Sequence, residues 1–147
     1  AQLGVLPSMQ PTHCTSDAAM AETRLGAERC GYAYGWRNLR RTGIPILAGS
    51  DFPIESPDPV AGVRAFVNRL DSTTNKPWYP EQQLTPEEAI AAFTAWPAAG
   101  LPSQPLHGRI AEGYVADIVV LSGDPWLPAA PKTFATIVAG NVVWEWA

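Results

Sequence analysis

The fold class follows from one short apolar run and the polar turn after it, Gly43-Ile44-Pro45-Ile46-Leu47-Ala48-Gly49-Ser50-Asp51-Phe52-Pro53. Ile44 to Ala48 is apolar without alternation, which is typical of a strand buried on both faces of a parallel sheet. A carboxylate directly after such a strand lies at the C-terminal mouth of a β/α barrel, where active sites are built. Asp51 is therefore a candidate catalytic residue, although a turn or capping role explains its spacing equally well.

The preceding apolar run supplies a second polar group in an equivalent position. Val5 to Met9 is followed by Gln10-Pro11-Thr12-His13, and Pro11 predicts the end of a strand because it cannot donate to a sheet. His13 then has the same place relative to its strand as Asp51 has to its own, so both are expected to face one pocket. A lone histidine is more often structural, but the matched positions favour a site role. Cys14 would point the other way along a strand, so no His–Cys nucleophile pair is expected.

Helices are predicted from caps and apolar periodicity. Ser16 or Asp17 is expected to cap the segment leading to a helix over residues 27–42, which Gly43 ends in the left-handed conformation. Asp58-Pro59 opens a second helix with an apolar face. Thr85-Pro86-Glu87-Glu88 is a capping box that starts a third helix, expected to end near Trp96 because Pro97 follows.

The character of the chain changes after Gly100. Arg109 to Ala111, Val115 to Leu121 and Phe134 to Trp146 are predicted as strands, and Ala139-Gly140-Asn141 splits the last of them into a hairpin. Residues 1–100 are accordingly interpreted as β/α barrel units and residues 101–147 as a separate β module. The predicted class is α/β.

Length and composition limit the possible functions. The chain has 147 residues, whereas a complete β/α barrel usually needs roughly 250. Its net charge of −4 gives no basic surface for nucleic acid or an anionic membrane, and no apolar run approaches a membrane span. The start, Ala1 to Val5, has no basic segment typical of a leader and is interpreted as the middle of an element. Two cysteines without metal-site spacing suit reduced thiols and a cytoplasmic location.

Other polar and aromatic residues have simpler structural explanations. Asp17, Glu55 and Asp58 follow the two strands and could contact substrate, but solvated or capping roles are simpler. His107 precedes Gly108 and is expected to have a turn role. Core or interface packing is expected for the scattered tryptophans, which are Trp36, Trp78, Trp96, Trp126, Trp144 and Trp146.

In their order and spacing, these motifs resemble the YtcJ-like branch of the amidohydrolases, which includes N-substituted formamide deformylases. The resemblance covers nearly the whole chain. It rests on Gln10-Pro11-Thr12-His13, Arg24-Leu25-Gly26, Tyr34, Trp36-Arg37, Gly43, Gly49-Ser50-Asp51-Phe52-Pro53, Leu84-Thr85-Pro86-Glu87-Glu88-Ala89, Gly108-Arg109-Ile110, the stretch from Gly113 to Leu121, and Asp124-Pro125.

The resemblance implies the C-terminal part of a TIM (β/α)8 barrel joined to strands of a small β-sandwich. Val5 to Met9 would be the seventh barrel strand and Ile44 to Ala48 the eighth. In the family a divalent metal, usually zinc, polarises the carbonyl of a small amide-like substrate, and its C–N bond is hydrolysed. Asp51 would contact the metal and act as general base and then general acid. His13 would bind the substrate or stabilise the oxyanion.

Several features of the family pattern are absent. The His-x-His pair of the first strand, the bridging residue of the middle strands and the histidines of the fifth and sixth strands have no counterpart here. Of the metal ligands, Asp51 alone remains, whereas catalytic zinc uses about three protein ligands. The chain is therefore expected to be a C-terminal portion that is inactive alone and that associates with a missing N-terminal portion or with itself.

Three alternatives remain open at this stage. The chain could be one subunit of a split hydrolase, active only with a partner that carries the histidines. It could instead be a non-catalytic interaction module built on a decayed barrel. A deaminase-type member of the same superfamily, acting on a cyclic amidine, is the third alternative.

Overall fold

The chain combines a small parallel sheet, a layer of helices and an antiparallel sheet. The computed structural model describes residues 3–100 and 106–146. In chain order the elements are β1 (Ser8–Met9), α1 (Pro11–Leu25), α2 (Ala27–Cys30), α3 (Trp36–Arg41), β2 (Leu47–Ala48), α4 (Pro59–Asn68), a 3-10 turn (Pro80–Gln82), α5 (Pro86–Phe93), α6 (Ala95–Ala99), β3 (Ile118–Leu121), β4 (Thr133–Val138) and β5 (Asn141–Glu145). Over these described ranges, no helix combines the length and the apolarity needed to cross a bilayer. The predicted α/β class is confirmed at this level.

The two predicted parallel strands pair with each other. Ser8 lies opposite Leu47, and Met9 lies opposite Ala48, in parallel register. The Gly49 amide donates to the Met9 carbonyl at 3.0 Å, which extends the ladder to the edge that carries Asp51. Each strand has two residues instead of the predicted five. Proline explains part of this shortening, because neither Pro7 nor Pro45 has an amide hydrogen to donate.

The first helix begins much earlier than predicted. Pro11 ends β1, as expected, but it is also the first residue of the 15-residue helix α1. Proline is favoured there because the first helical amide has no partner within the helix. Ser16 and Asp17 therefore lie inside α1, and neither caps a helix. The buried face of α1 consists of small residues, Cys14, Ala18 and Ala21, so its apolar periodicity is weak in the sequence.

The single helix predicted over residues 27–42 is two short helices. The segment between α2 and α3 includes Tyr34 in the left-handed conformation, with φ of 50°, so the helix cannot continue through it. Gly43 ends the region with φ of 82°, as predicted.

The start signals of the next two helices are confirmed. Asp58 Oδ1 accepts a hydrogen bond from the Val60 amide at 2.9 Å, at the N-cap of α4. Thr85 Oγ1 accepts from the Glu88 amide at 3.2 Å, and Glu88 Oε2 accepts from the Thr85 amide at 3.0 Å, as a capping box requires. Burial raises the pKa of Glu88, but the bonds from Thr85 and from Arg37 and Arg40 outweigh it, and the net pKa lies below the usual value.

The predicted end of the third helix is wrong. α5 stops at Phe93, and Pro97 lies inside α6 instead of terminating a helix. The break falls at Thr94, whose backbone has φ of −131° and ψ of −86°. Its hydroxyl donates to the Ile90 carbonyl at 2.8 Å. Pro97 is tolerated because the first turn of α6 has no intrahelical acceptors for its amides.

The β module is a three-stranded antiparallel sheet in the order β3-β4-β5. The predicted hairpin is confirmed, with Ala139 and Gly140 both at positive φ between β4 and β5. The stretch Val115 to Leu121 contains β3, but Arg109 to Ala111 is irregular and is not a strand. Asp117 links three segments of this module. Its carboxylate accepts a hydrogen bond from the Ala139 amide at 2.9 Å and lies 3.0 Å from His107 Nδ1. The Ala139 bond, with the His107 contact, lowers the pKa of Asp117.

The core contains a fully buried arginine that sequence patterns do not reveal. Arg69, at 0% exposure, donates from Nε to the Trp78 carbonyl at 2.6 Å. Its other nitrogens donate to the carbonyls of Tyr34 at 2.9 Å and Ala33 at 3.0 Å. The guanidinium lies 4.5 Å from the ring centre of Trp36 and 5.1 Å from that of Trp78. Trp36 and Trp78, two of the tryptophans that were expected to have packing roles, are therefore buried in the core beside the Arg69 cation.

Replacing Arg69 by methionine is expected to destabilise the fold strongly. The substitution removes the donors for three buried carbonyl contacts, and a loss of roughly 2–5 kcal/mol is expected. Urea unfolding, followed by tryptophan fluorescence, measures it. Arg41→Met is the matched control, because it removes the same charge from an exposed position at the end of α3. Equal unfolding midpoints for the two variants would contradict this account of the core.

Candidate active site

Asp51 follows β2 in a tight turn that holds its backbone in the left-handed conformation. Its φ is 58°, a value that aspartate tolerates better than most residues. The Asp51 carbonyl accepts from the Ile54 amide at 2.8 Å, and Ser50 Oγ accepts from the Phe52 amide at 3.2 Å. The Asp51 side chain is 57% exposed. The turn therefore presents a solvent-accessible carboxylate at the end of the strand.

His13 reaches Asp51 from a different element than predicted. It is the third residue of α1, in the first helical turn, and not the end of a strand. Its Nε2 nevertheless lies 3.8 Å from Asp51 Oδ2, so the structure brings the two expected site residues together. This distance is too long for a hydrogen bond. Nε2 is buried and has no hydrogen-bond partner among residues 3–100 and 106–146.

Cys14, next to His13 on α1, points into the core and not into the site. Its side chain has 0% exposure. Desolvation by burial raises its pKa to about 12, so the thiol is protonated at neutral pH. This agrees with the prediction that His13 and Cys14 do not form a nucleophile pair.

The other polar candidates, Asp17, Asp58 and Glu55, either form structural hydrogen bonds or have no side-chain partner in the described part of the chain. Asp17, one helical turn after His13, accepts a 2.5 Å hydrogen bond from the Tyr34 hydroxyl. Burial raises the pKa of Tyr34, and the bond to Asp17 adds to the effect. Asp58 is the α4 cap described above. Glu55 has no side-chain hydrogen bond or ion pair to any residue in the described part of the chain.

The donor set does not complete a metal centre. Within residues 3–100 and 106–146, no group of three or more His, Cys, Asp and Glu side chains is arranged to hold a metal ion. His13 and Asp51 provide one imidazole and one carboxylate, whereas catalytic zinc sites use about three protein ligands. The described residues therefore fit part of a metal site at most.

A cavity of about 200 Å³ lies at the end of β2, between the strand and the start of α4. Ala48, Gly49 and Ser50 form one side of it, and Gly62 and Phe93 form the apolar floor. A Cβ atom at Gly62 would collide with the Phe93 ring, so glycine is needed for this packing. Sequence patterns gave only a weak signal for Gly62, which is a glycine within a helix.

The chain belongs to the amidohydrolase family, whose model, described as "Amidohydrolase family", matches residues 1–144. The family predicted from the motifs is thus confirmed. The chain is 37% identical to the putative amidohydrolase YtcJ of Bacillus subtilis (strain 168), in an alignment that covers 99% of this chain and 29% of that protein.

Solved structures give a concordant result. An uncharacterized metal-dependent hydrolase from Pyrococcus horikoshii OT3 is 30% identical with a TM-score of 0.71, covering 86% of this chain and 26% of that one. Another from Pyrococcus furiosus is 28% identical with a TM-score of 0.69, covering 86% and 25%. The chain thus spans less than a third of the length of these relatives.

The 147-residue chain is not expected to bind zinc stoichiometrically with submicromolar affinity, because His13 and Asp51 supply too few ligands. Isothermal titration calorimetry with zinc chloride at neutral pH measures this. Asp51→Asn is compared with Asp117→Asn, which removes the carboxylate beside the other histidine. Tight binding that is lost in Asp51→Asn and retained in Asp117→Asn would contradict the expectation.

Proposed function

We propose that this chain is the C-terminal part of the β/α barrel of a metal-dependent hydrolase that cleaves a C–N bond in a small amide-like, non-peptide molecule. One observation carries the proposal: the parallel strands β1 and β2 end beside each other, and His13 and Asp51 meet there at 3.8 Å. In this proposal β1 and β2 are the seventh and eighth barrel strands, and β3, β4 and β5 belong to a small β-sandwich.

Asp51 is the proposed proton-transfer residue. Its carboxylate is exposed at the end of a strand, and the turn over residues 49–54 holds it in place. In the proposed reaction the carboxylate accepts a proton from the attacking water and then delivers a proton to the leaving nitrogen. The exposed position suits this role, because both the water and the leaving group need access to the same oxygen atoms.

His13 is the proposed substrate-binding residue. Its Nε2 is buried and has no partner among the described residues, so its hydrogen-bonding capacity is unused within them. In the tautomer with hydrogen on Nε2, the imidazole donates a hydrogen bond to the substrate carbonyl oxygen and to the oxyanion that forms from it. The first turn of α1 fixes the ring next to Asp51.

The complete protein is proposed to contain a divalent metal, most simply zinc, with Asp51 as one ligand. The metal-dependent hydrolases among the solved relatives support a metal. Because the described residues do not form a group of three ligands, the remaining ligands must come from outside them. They belong either to the rest of a longer chain or to a partner subunit of a split hydrolase.

A chimera tests the proposed reaction. This chain replaces the matching segment of Bacillus subtilis YtcJ, which aligns over 99% of it, and the purified chimera is assayed on a panel of N-substituted formamides. Asp51→Asn in the chimera is expected to lower kcat by at least about 100-fold, because general acid–base catalysis contributes that much.

Glu55→Gln is the matched control, since it removes a carboxylate four residues away and is expected to leave kcat nearly unchanged. A chimera whose formamide hydrolysis is equally active with and without the Asp51 carboxylate would refute the proposal. Hydrolysis lost equally in both variants would also count against a specific role for Asp51.

Association is proposed because the antiparallel sheet leaves a large apolar surface in water. β5 is an edge strand, and Val142, Val143 and Trp144 within it are 48–59% exposed. Unpaired edges and contiguous apolar surfaces favour contact with another chain segment. The proposed partner is the remainder of a longer chain or a second copy of this one.

Sedimentation velocity of the isolated chain is expected to show species larger than the monomer, increasing with concentration. Val143→Lys places a charge on the edge strand and is expected to shift the distribution towards monomer. Val5→Lys replaces an exposed valine that is not part of the antiparallel sheet. It is the matched control and is expected to change the distribution less. A concentration-independent monomer for the unmodified chain would refute association.

A further inference from the structure

A second cavity lies between α1 and α4, and Thr12 lines both this cavity and the one at the end of β2. Its volume is about 200 Å³. Thr12 and Thr15 line it from α1, Arg64 and Asn68 from α4, and Ser72 from the segment that follows α4. The Ser72 amide donates to the Thr15 carbonyl at 3.0 Å, which links that segment to α1. Neither the proposed reaction nor its residues use this space.

Two of the residues that line this cavity each carry a buried polar atom without a partner in the described part of the chain, namely Arg64 Nε and Thr12 Oγ1. A buried donor without a partner is costly and is uncommon in native proteins. The guanidinium Nε–H can only donate, and a threonine hydroxyl can donate as well. The missing partner must therefore be a hydrogen-bond acceptor.

The positive charge of Arg64 favours a negatively charged acceptor. The Arg64 guanidinium donates from Nη2 to the Pro128 carbonyl at 2.8 Å, and Pro128 is not one of the residues that line this cavity. No acidic side chain of residues 3–100 and 106–146 lies within ion-pair distance of it, and none of the cavity-lining residues is acidic. The Asn68 side-chain amide is directed away, since it donates to the Trp126 carbonyl at 3.1 Å. A cation would be repelled here, and a neutral ligand would leave the guanidinium charge without a counterion.

We propose that this α1–α4 cavity binds a small oxyanion, a carboxylate or phosphate group, through Arg64 Nε and the Thr12 hydroxyl. The guanidinium is the side chain best suited to oxyanions, because its planar N–H groups match their oxygen atoms. The Ser72 hydroxyl has no hydrogen bond to any residue in the described part of the chain, and it supplies a third donor. The bound anion joins the first turn of α1, which also carries His13, to the middle of α4. The proposal is independent of the reaction proposed above.

Heteronuclear NMR titration of the 147-residue chain tests it, with sodium phosphate in one arm and sodium acetate in the other. Sodium chloride keeps the ionic strength constant, which separates specific binding from screening. Saturable shifts of the Thr12 and Ser72 amides are expected with at least one anion, with Kd on the order of 1 mM. The arm that saturates at lower concentration identifies whether the site prefers phosphate or carboxylate.

Substitutions distinguish this cavity from general anion binding. Arg64→Met is expected to raise Kd about tenfold or more, and Thr12→Val a few-fold, because each removes one donor to a charged acceptor. Arg24→Met, which removes the same charge from an exposed position on α1, is expected to leave Kd unchanged. Arg64→Lys keeps the charge but not the Nε donor, so a weaker Kd in this variant supports the proposal even if Arg64→Met does not fold.

Two results would overturn the proposal. One is the absence of saturable shifts with both anions, which is the outcome expected if only water fills the cavity. The other is an unchanged Kd in Arg64→Lys and Thr12→Val, which would locate any anion elsewhere on the protein.

Discussion

The buried guanidinium of Arg69 is the constraint around which the helical part of the chain is arranged. A charge without a carboxylate partner can be buried only where neutral acceptors surround it, and here the carbonyls of Ala33, Tyr34 and Trp78 do so. Those carbonyls belong to two loops far apart in sequence, so both loops must converge on the end of α4. Tyr34, held in this way, donates to Asp17 on α1. Contacts therefore run from the buried cation to the helix that carries His13.

The candidate active site depends on a very small amount of regular structure. Two residues of β1 and two of β2 set the parallel register, and the bond from Gly49 to Met9 continues it to the strand ends. β1 leads directly into helix α1, and β2 leads directly into the tight turn that contains Asp51. The first turn of α1 and the Asp51 turn therefore face each other. A two-residue ladder is weak alone, and the packing of α5 and α6 against β2 supports it.

The potential metal ligands of the chain and the family comparisons both bear on how much of a hydrolase this chain contains. The chain belongs to the amidohydrolase family yet spans less than a third of the relatives it matches. Within the described residues no group of three ligands is arranged to hold a metal ion, and several apolar side chains of the antiparallel sheet are exposed. In the function proposed above, the remaining metal ligands therefore come from outside the described residues. The cavity between α1 and α4 is different in this respect, because all of its proposed donors lie within the chain.

Local signals in the sequence determined the features that depend on a few consecutive residues. The cap at Asp58, the capping box at Thr85 and Glu88, and the left-handed Gly43 each involve bonds or angles within one turn of chain, so residue type suffices to predict them. The position of Asp51 after a strand was predictable for the same reason, because it directly follows an apolar run. Tertiary structure alone decided that His13 lies in a helix and that Arg69 is buried. The bonds of Arg69 reach acceptors up to 36 positions away, and a contact over that separation leaves no periodic pattern in the sequence.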